Sequence, residues 1–162
     1  MSPTISPTPT MSATPTVVPS PTQVGGGVGQ IAFASNRSGE PQIWIMDVDG
    51  SNLKQITELA EGACQPDWHP DGTRLVFISP CAKNTDVYRG ASLFTILVNG
   101  SGLTPLPTLP GGDYEPAWSP DGETIAFTSL RNNDTPQIYL LNLNSGAVTG
   151  LSEDPLRAHS HT

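Results

Sequence analysis

The chain has 162 residues, enough for one domain of ordinary size, and its 15 acidic and 7 basic residues give a formal net charge of -8. The Lys and Arg residues are scattered singly, without the basic stripe that phosphate binding needs, so we expect no nucleic-acid partner. An anionic membrane surface is disfavoured for the same reason. The sequence has no run of about 18 apolar residues, so it predicts no membrane span. The residues near Met1 lack the pattern of a signal peptide.

The first 29 residues differ in composition from the rest of the chain. Among the first 22 residues, 16 are Ser, Thr or Pro and none is charged, so this stretch cannot assemble a core. Proline favours an extended, semi-rigid conformation, and the run GGGVG at 25–29 supplies a flexible joint. We therefore expect a disordered stalk over 1–29. Stalks of this kind tether domains outside the cytoplasm, which predicts a periplasmic or cell-surface location as part of a longer protein.

A fourteen-residue segment occurs twice, as PDWHPDGTRLVFIS at 66–79 and as PAWSPDGETIAFTS at 116–129, with an offset of fifty residues (118 minus 68). In each copy proline presets φ for a type I turn, and glycine takes the positive φ that closes a bulged hairpin. The motif is therefore predicted to form a hairpin corner rather than an active site. The structural repeat motif comprises Trp68, Pro70, Asp71, Gly72, Trp118, Pro120, Asp121 and Gly122.

A second pair of strands follows each copy, over 92–106 and 137–151, and an incomplete copy lies upstream at 31–57 without the Trp-X-Pro-Asp-Gly strand. Antiparallel four-stranded sheets that recur along a chain are typical of a β-propeller, in which each blade buries its faces against its neighbours. We therefore predict an all-β fold, a partial β-propeller over 30–162. Its predicted units are blade 1 at 31–57, lacking its first strand, blade 2 at 64–107, blade 3 at 114–152 and the start of blade 4 at 159–162.

The contacts between blades and the open ends of the arc follow from the repeat. Trp44, Phe94 and Tyr139 stand at equivalent positions, where a large ring suits packing between adjacent sheets. Propellers typically need about four to eight blades to close, and an arc of about three blades leaves its end faces open. We therefore expect the polypeptide on its own to be marginally stable, aggregation-prone or oligomeric.

The two copies, together with IWIMDVDGSNLKQIT at 43–57, resemble the repeat of the TolB-type propellers, and the resemblance covers roughly residues 31–157. It implies an extracytoplasmic, non-enzymatic module that binds another protein or a ligand; proteins of that family contact an outer-membrane lipoprotein and other envelope partners. In that family a small α/β domain precedes the propeller, and here the stalk stands in its place. Two alternatives stay open: the propeller portion of a prolyl-oligopeptidase-like serine hydrolase, and the sensor domain of a membrane-anchored receptor.

A loop in the second unit is the candidate contact surface. The segment PCAKNTDVYRGA at 80–91 has no counterpart of equal length in the third unit, and rigid repeat scaffolds display binding residues on such loops. A passive surface loop is the alternative. The candidate contact residues are Lys83, Asn84, Asp86, Tyr88 and Arg89.

Two cysteines lie near this loop. A hairpin around 69–72 places Cys64 across from residue 77 or 78, and Cys81 lies three or four residues beyond that position. That offset is near the limit of the Cα separation that a disulfide tolerates, about 7 Å. A disulfide therefore requires the chain after residue 79 to turn back toward Cys64.

Other residues that resemble reactive sites have simpler interpretations. DVDGSN at 47–52 resembles a calcium loop but is predicted to be a hairpin turn, and His69 is predicted to be an exposed corner. Asp113 and Glu115 are expected to be exposed on one strand face, and His159 and His161 to begin the next blade. No Gly-X-Ser-X-Gly elbow occurs. We therefore expect no catalytic residue, no cofactor and no metal.

Overall fold

The computed structural model describes residues 29–81, 87–107 and 112–151. Within these ranges the chain forms eleven β-strands and no helix, arranged in three antiparallel sheets that follow one another along the chain. The second and third sheets have four strands each and the first has three. The predicted all-β fold of repeated antiparallel sheets is therefore confirmed.

The first sheet consists of β1 (Gln30–Ser35), β2 (Gln42–Asp47) and β3 (Lys54–Gln55), in that spatial order. β1 and β2 each have four consecutive apolar residues, at 31–34 and 43–46, so both faces of this sheet are apolar. In the register of β1 and β2, Phe33 lies opposite Trp44. Among the described residues, no further strand pairs with the edge of β1 that faces away from β2.

The second sheet consists of β4 (Cys64–Trp68), β5 (Arg74–Ser79), β6 (Ser92–Leu97) and β7 (Thr104–Pro105) in chain order. The hairpin between β4 and β5 is the first Pro-Asp-Gly corner. The N–H of Gly72 donates to the carbonyl of His69 at 2.9 Å, and Gly72 has a φ of 70°. A positive φ is readily available to glycine, so this position closes the turn without strain.

The third sheet consists of β8 (Asp113–Trp118), β9 (Thr124–Asn132), β10 (Thr135–Asn142) and β11 (Val148–Gly150). Its first hairpin repeats the first corner, with the Gly122 N–H bonded to the Ser119 carbonyl at 2.9 Å.

Two apolar clusters hold the three sheets face to face. Between the first and second sheets, Ile43 of β2 clusters with Leu75 and Phe77 of β5, all fully buried. Between the second and third sheets, Ile78 of β5 clusters with Phe127 of β9. Each sheet therefore covers one face of the next, as the blades of a propeller do. The chain is a partial β-propeller.

The large rings predicted to lie at equivalent positions stack on phenylalanine residues of the neighbouring strand. The centroids of Phe77 and Phe94 are 5.9 Å apart, and those of Phe127 and Tyr139 are 6.0 Å apart. Offset ring pairs of this kind add about 0.5–1.5 kcal/mol to the burial of apolar area.

The outermost strands of the first and second sheets are very short. β3 and β7 have two residues each, Lys54–Gln55 and Thr104–Pro105. Lys54 is exposed at the edge, and Pro105 has no N–H to offer. The outer rim of the arc therefore presents few backbone groups for further pairing.

Candidate interaction surface

Part of the predicted contact loop lies on the third sheet. Lys83, Asn84 and Asp86 lie outside the described residues. The rings of Tyr88 and Tyr114 pack with their centroids 6.0 Å apart. Residues 87–91, which we call the docked loop, therefore return to the propeller rather than standing free of it.

An ion pair holds the docked loop at a second point. Arg89 Nη1 lies 2.6 Å from Asp134 Oδ1, and both side chains are about two-thirds exposed, at 65% and 68%. Asp134 sits in the hairpin between β9 and β10 with a φ of 58°. An exposed pair of this kind adds little stability, so its main effect is to fix where the two charges stand.

The backbone of the docked loop completes the attachment. The Asp113 N–H donates to the Ala91 carbonyl at 2.9 Å, and Gly112 approaches the Tyr88 carbonyl so closely that a Cβ on Gly112 would collide with it. Tyr114, which lies beneath the loop, is 3% exposed. Burial raises the pKa of its phenol above the ordinary value, and the nearby Glu115 carboxylate adds to that increase.

A disulfide joins Cys64 to Cys81, with the Cα atoms 5.6 Å apart. The register pairs Cys64 with Ile78, as predicted, and the chain after Ser79 turns back toward the start of β4. Two hydrogen bonds accompany this turn, from Ser79 Oγ to the Gly62 carbonyl at 2.7 Å and from the Cys81 N–H to the Glu61 carbonyl at 2.9 Å. The turn that the sequence required for a bond therefore occurs, and it anchors the segment that leads into the contact loop.

The repeat motif connects the innermost strands of the second and third sheets. Asp67 Oδ2 accepts a hydrogen bond from the N–H of Trp118 at 2.7 Å. Gln65 Oε1 accepts one from the N–H of Glu115, also at 2.7 Å. Gln65 and Glu115 have φ values of 55° and 53° at equivalent points of the two repeats. The two sheets are therefore joined by side chains of β4 that bond directly to the backbone of β8.

His69 is not the exposed corner that the sequence predicted. Its ring stands edge-on against Trp118, with centroids 4.5 Å apart, and its Nε2 lies 3.3 Å from the Gly122 carbonyl. The side chain is 15% exposed. Because the next sheet brings its own Pro-Asp-Gly corner alongside, the residue before Pro70 lies in the contact between the two corners.

Asp113 is likewise not exposed, and the sequence-based expectation for it was wrong. Its side chain is fully buried, and both carboxylate oxygens lie 3.0 Å from Arg131 Nη2. Ser129 Oγ also donates to Oδ1 of Asp113. Glu115, two residues further along, is exposed as expected, because the bulge after Tyr114 breaks the alternation of the strand.

The guanidinium of Arg131 lies over aromatic rings as well. It is 4.5 Å from the centroid of Tyr139 and 5.2 Å from that of Phe127. Arg37 holds the same position in the first sheet, 4.9 Å from the ring of Trp44 and 5.2 Å from that of Phe33. The repeat thus includes an arginine that the Trp-X-Pro-Asp-Gly pattern does not reveal.

The acidic turn at 47–52 uses its carboxylates within the hairpin. Asp47 accepts hydrogen bonds from the side chains of Asn52, Gln30 and Ser51. These bonds, the one from Asn52 foremost, lower the pKa of Asp47 below its ordinary value. His159 and His161 lie outside the described residues. Within the described ranges, no three His, Cys, Asp or Glu side chains are grouped closely enough to hold a metal ion.

A cleft of about 760 Å³ separates the outer parts of the first and second sheets. Its wall includes Gln42, Thr57 and Leu59. The Gln42 amide donates to the Leu59 carbonyl at 2.7 Å and accepts from Thr57 Oγ1 at 2.8 Å. These inner polar groups are therefore bonded to one another, and the cleft is less distinctive than the docked loop as a recognition surface.

Residues 87–91, 112–114 and 132–135 together form what we call the loop-bearing rim. Sequence reasoning identified Tyr88 and Arg89 but missed Tyr114 and Asp134. The missed residues lie about 25 to 45 positions away from the loop in the chain, and only the packing of the third sheet brings them together. No helix in the described ranges has the length and the apolar composition that crossing a bilayer requires.

Known proteins share both the repeat and the fold. The Tol-Pal system protein TolB of Geobacter sulfurreducens is 40% identical over 47 residues, which are 29% of this chain and 11% of that protein. The crystal structure of TolB from Acinetobacter baumannii has a TM-score of 0.66 and 25% identity, over 78% of this chain and 30% of that chain. No protein-family model matches the chain.

The same fold occurs in an enzyme. A puromycin-hydrolyzing peptidase from Mycobacterium tuberculosis has a TM-score of 0.56 and 14% identity, over 79% of this chain and 20% of that chain. This is a likeness of fold alone. The chain spans less than a third of the length of each of these three proteins. The repeated Trp-X-Pro-Asp-Gly hairpins, the three successive sheets and the match to TolB together identify the described part of the chain as a β-propeller fragment with TolB-type repeats.

Proposed function

We propose that the chain is a non-catalytic interaction module that binds another protein through the loop-bearing rim. The observation that carries the proposal is that the docked loop is attached to the third sheet while parts of it stay exposed. Val87 is 38% exposed, and Arg89 and Asp134 are exposed to a greater extent. A loop that is already ordered loses less conformational entropy on binding than a free one, so it favours recognition.

The chemistry of the rim fits a protein partner. An exposed apolar residue, Val87, lies two residues before Arg89, whose guanidinium pairs with the Asp134 carboxylate. Protein interfaces combine an apolar centre with polar groups at its border in this way. The scattered placement of the basic residues argues against a nucleic acid as the partner.

The proposed location is outside the cytoplasm, and the proposed partner is an envelope protein. The Cys64–Cys81 disulfide supports this location, because such bonds persist in oxidising compartments and are rare in the cytosol. The relative from Geobacter is named as a Tol-Pal system protein, and the repeat resembles that of proteins that contact an outer-membrane lipoprotein. The partner of this chain is accordingly proposed to be of the same kind.

Site-specific photocrosslinking tests the proposal. A photoreactive amino acid is placed at Val87 or at Asn133 of the rim in the organism's own protein, and adducts are identified by mass spectrometry. Val48, which is 69% exposed in the hairpin after β2, serves as the control position. We expect one discrete envelope protein to crosslink at both rim positions and not at Val48. Adducts that are equally abundant at all three positions, or absent from the rim, would contradict the proposal.

A second candidate is the propeller portion of a serine hydrolase, which the fold shared with a peptidase favours. Such an enzyme needs a nucleophile elbow on an additional α/β domain. Labelling of the natural full-length protein by a fluorophosphonate probe distinguishes the two candidates. A labelled serine would establish the hydrolase, whereas an interaction module shows no specific labelling.

A further inference from the structure

The two interfaces between the sheets are built in the same direction. In each one the later sheet contributes a face that carries a stacked ring pair, which we call the aromatic face. The earlier sheet contributes the opposite, aliphatic face. The second sheet shows both: Leu75 and Phe77 are directed toward the first sheet, and Val76 and Ile78 toward the third.

The first sheet has an aromatic face of the same construction. Phe33 pairs with Trp44 and Ile31 pairs with Met46, just as Phe77 pairs with Phe94 and Leu75 with Ile96 in the second sheet. The registers match residue for residue. Yet Ile31 is 40% exposed, whereas Leu75 at the equivalent position is fully buried. Among the described residues, no other sheet covers the aromatic face of the first sheet.

The third sheet likewise has an aliphatic face that no other sheet of the described residues covers. Ile138 pairs with Thr128, as Leu93 pairs with Ile78 in the second sheet. Ile138 is 41% exposed, whereas Leu93 is fully buried. The two ends of the arc therefore present the two halves of an interface that the chain already forms twice within itself.

We propose that this polypeptide of 162 residues forms a head-to-tail dimer. In it the aromatic face of the first sheet of each copy packs on the aliphatic face of the third sheet of its partner. A twofold axis makes the two contacts identical and closes a ring of the six sheets that the described residues of two copies form, within the range of about four to eight blades found in propellers. Closure by rotation also explains why head-to-tail contacts need not continue into a fibre.

A second copy fits better than an unrelated occupant, because the chain itself shows what each face accepts. The position of Arg37 over Phe33 and Trp44 does not block the contact. Arg131 lies in the same way over the rings of the third sheet, and that sheet packs fully on the second with the Arg131 side chain 11% exposed. The aromatic face of the first sheet is thus already in the conformation that an interface uses.

The mass of the purified chain in solution tests the proposal. Light scattering after gel filtration is expected to give twice 17.1 kDa, or 34.2 kDa. Ile31→Lys and Ile138→Glu each place a charge in both contacts of the ring and are expected to weaken the dimer at least about a hundredfold. Lys54→Glu changes an exposed residue of β3 that pairs with Ile45, on the face of the first sheet opposite Phe33 and Trp44, and is expected to leave the dimer intact.

Mixing the two interface variants gives the sharper result. A mixed dimer of Ile31→Lys and Ile138→Glu has one unchanged contact and one in which the two new charges meet, so the 34.2 kDa species (twice 17.1 kDa) is expected to return. Its return also shows that both variants fold. A wild-type monomer, an open-ended series of oligomers, or variants that stay monomeric when mixed would overturn the proposal. A dimer that tolerates Ile138→Glu would indicate contact between two aromatic faces and would overturn it equally.

Discussion

The second and third sheets each connect the start of their innermost strand to the end of the next strand, but by different kinds of bond. Cys81 and Arg131 are fifty residues apart (131 minus 81) and occupy equivalent positions of their repeats, just after β5 and near the end of β9. Cys81 is bonded to Cys64 at the start of β4, and Arg131 pairs with Asp113 at the start of β8. The comparison teaches that the repeat requires a connection between its innermost strand and the end of the next strand. The type of bond can differ from blade to blade.

The two connections fail under different conditions. A disulfide stabilises mainly by restricting the unfolded chain, and it is lost when a reductant is present. A buried ion pair has to offset the desolvation of two charges, so its removal is most harmful when only one partner is taken away. A reductant should therefore lower the stability of the second sheet, whereas the third sheet should lose stability when one partner of its ion pair is substituted.

The largest effect is expected from Arg131→Ala. It leaves the fully buried Asp113 carboxylate without its cation, which typically costs about 3–5 kcal/mol of unfolding free energy. Urea denaturation followed by tryptophan fluorescence measures the loss. Arg37→Ala is the matched control, because Arg37 has the same ring contacts in a sheet for which the described residues supply no innermost strand. Equal losses for the two variants would show that the ring contacts, not the buried pair, carry the effect.

Removal of the disulfide is expected to be the next most damaging change. Cys64→Ser combined with Cys81→Ser opens a loop with a sequence separation of 17 residues, for which the expected loss is about 2–4 kcal/mol. Hydrogen exchange should increase in 79–81 and 87–91 and stay unchanged around Arg131. Dithiothreitol should weaken the wild type and leave the double variant unaffected. A reductant effect on the double variant would contradict this assignment.

A smaller loss is expected when the corner between the sheets is crowded. Gly122 has a φ of 73°, and a Cβ there would collide with the ring of His69. Gly122→Ala should therefore cost about 2–3 kcal/mol. Gly146→Ala isolates the backbone contribution, because Gly146 has a φ of 70° and open space around its Cα, with about 1–2 kcal/mol expected. Replacing His69 by Ser, as in the other repeat, should bring the two glycine variants to similar stability.

The smallest effect concerns how strongly the stability of the second Pro-Asp-Gly corner depends on acidic pH. The Ser119 hydroxyl and the Glu123 N–H hold the pKa of Asp121 below its ordinary value. Because the folded pKa is the lower one, this stabilisation is present above the unfolded pKa of about 3.9 and is lost as pH falls through the folded value.

Ser119→Ala should therefore flatten the dependence of the urea midpoint on pH in that acidic window. Ser145→Ala removes a hydroxyl that bonds to Asn142, which does not titrate, and serves as the control. An unchanged slope in Ser119→Ala, or an equal change in both variants, would contradict the role of the hydroxyl.

Local chemistry made the repeated corners predictable from sequence. Pro-Asp-Gly prescribes a turn through φ preferences, and the apolar run that includes Leu75 and Phe77 indicates a strand after each turn. The spacing of fifty residues then indicates sheets that pack in series. These signals act over a few residues or recur exactly, so no knowledge of tertiary contacts is needed to use them.

The misjudged residues all depend on contacts between segments distant in the chain. His69 was taken for an exposed corner because nothing in its own hairpin covers it; the next corner does. Asp113 was assigned to solvent because its partner, Arg131, lies at the far end of another strand. The disulfide depended on whether the chain turns back after Ser79. The alternation of side chains along a strand predicts neither the burial of His69 and Asp113 nor the disulfide. A bulge next to Asp113 also breaks the alternation itself.

The short outermost strands have a consequence for how the protein can associate. Two-residue strands that bear Lys54 or Pro105 present almost no ladder for an incoming chain, so amyloid-like stacking along the outside of the arc is disfavoured. Association is directed instead to the broad flat ends of the arc, where side chains and not backbone amides decide which surfaces are compatible. A protein that repeats one sheet several times thereby avoids indiscriminate pairing of its many similar edges.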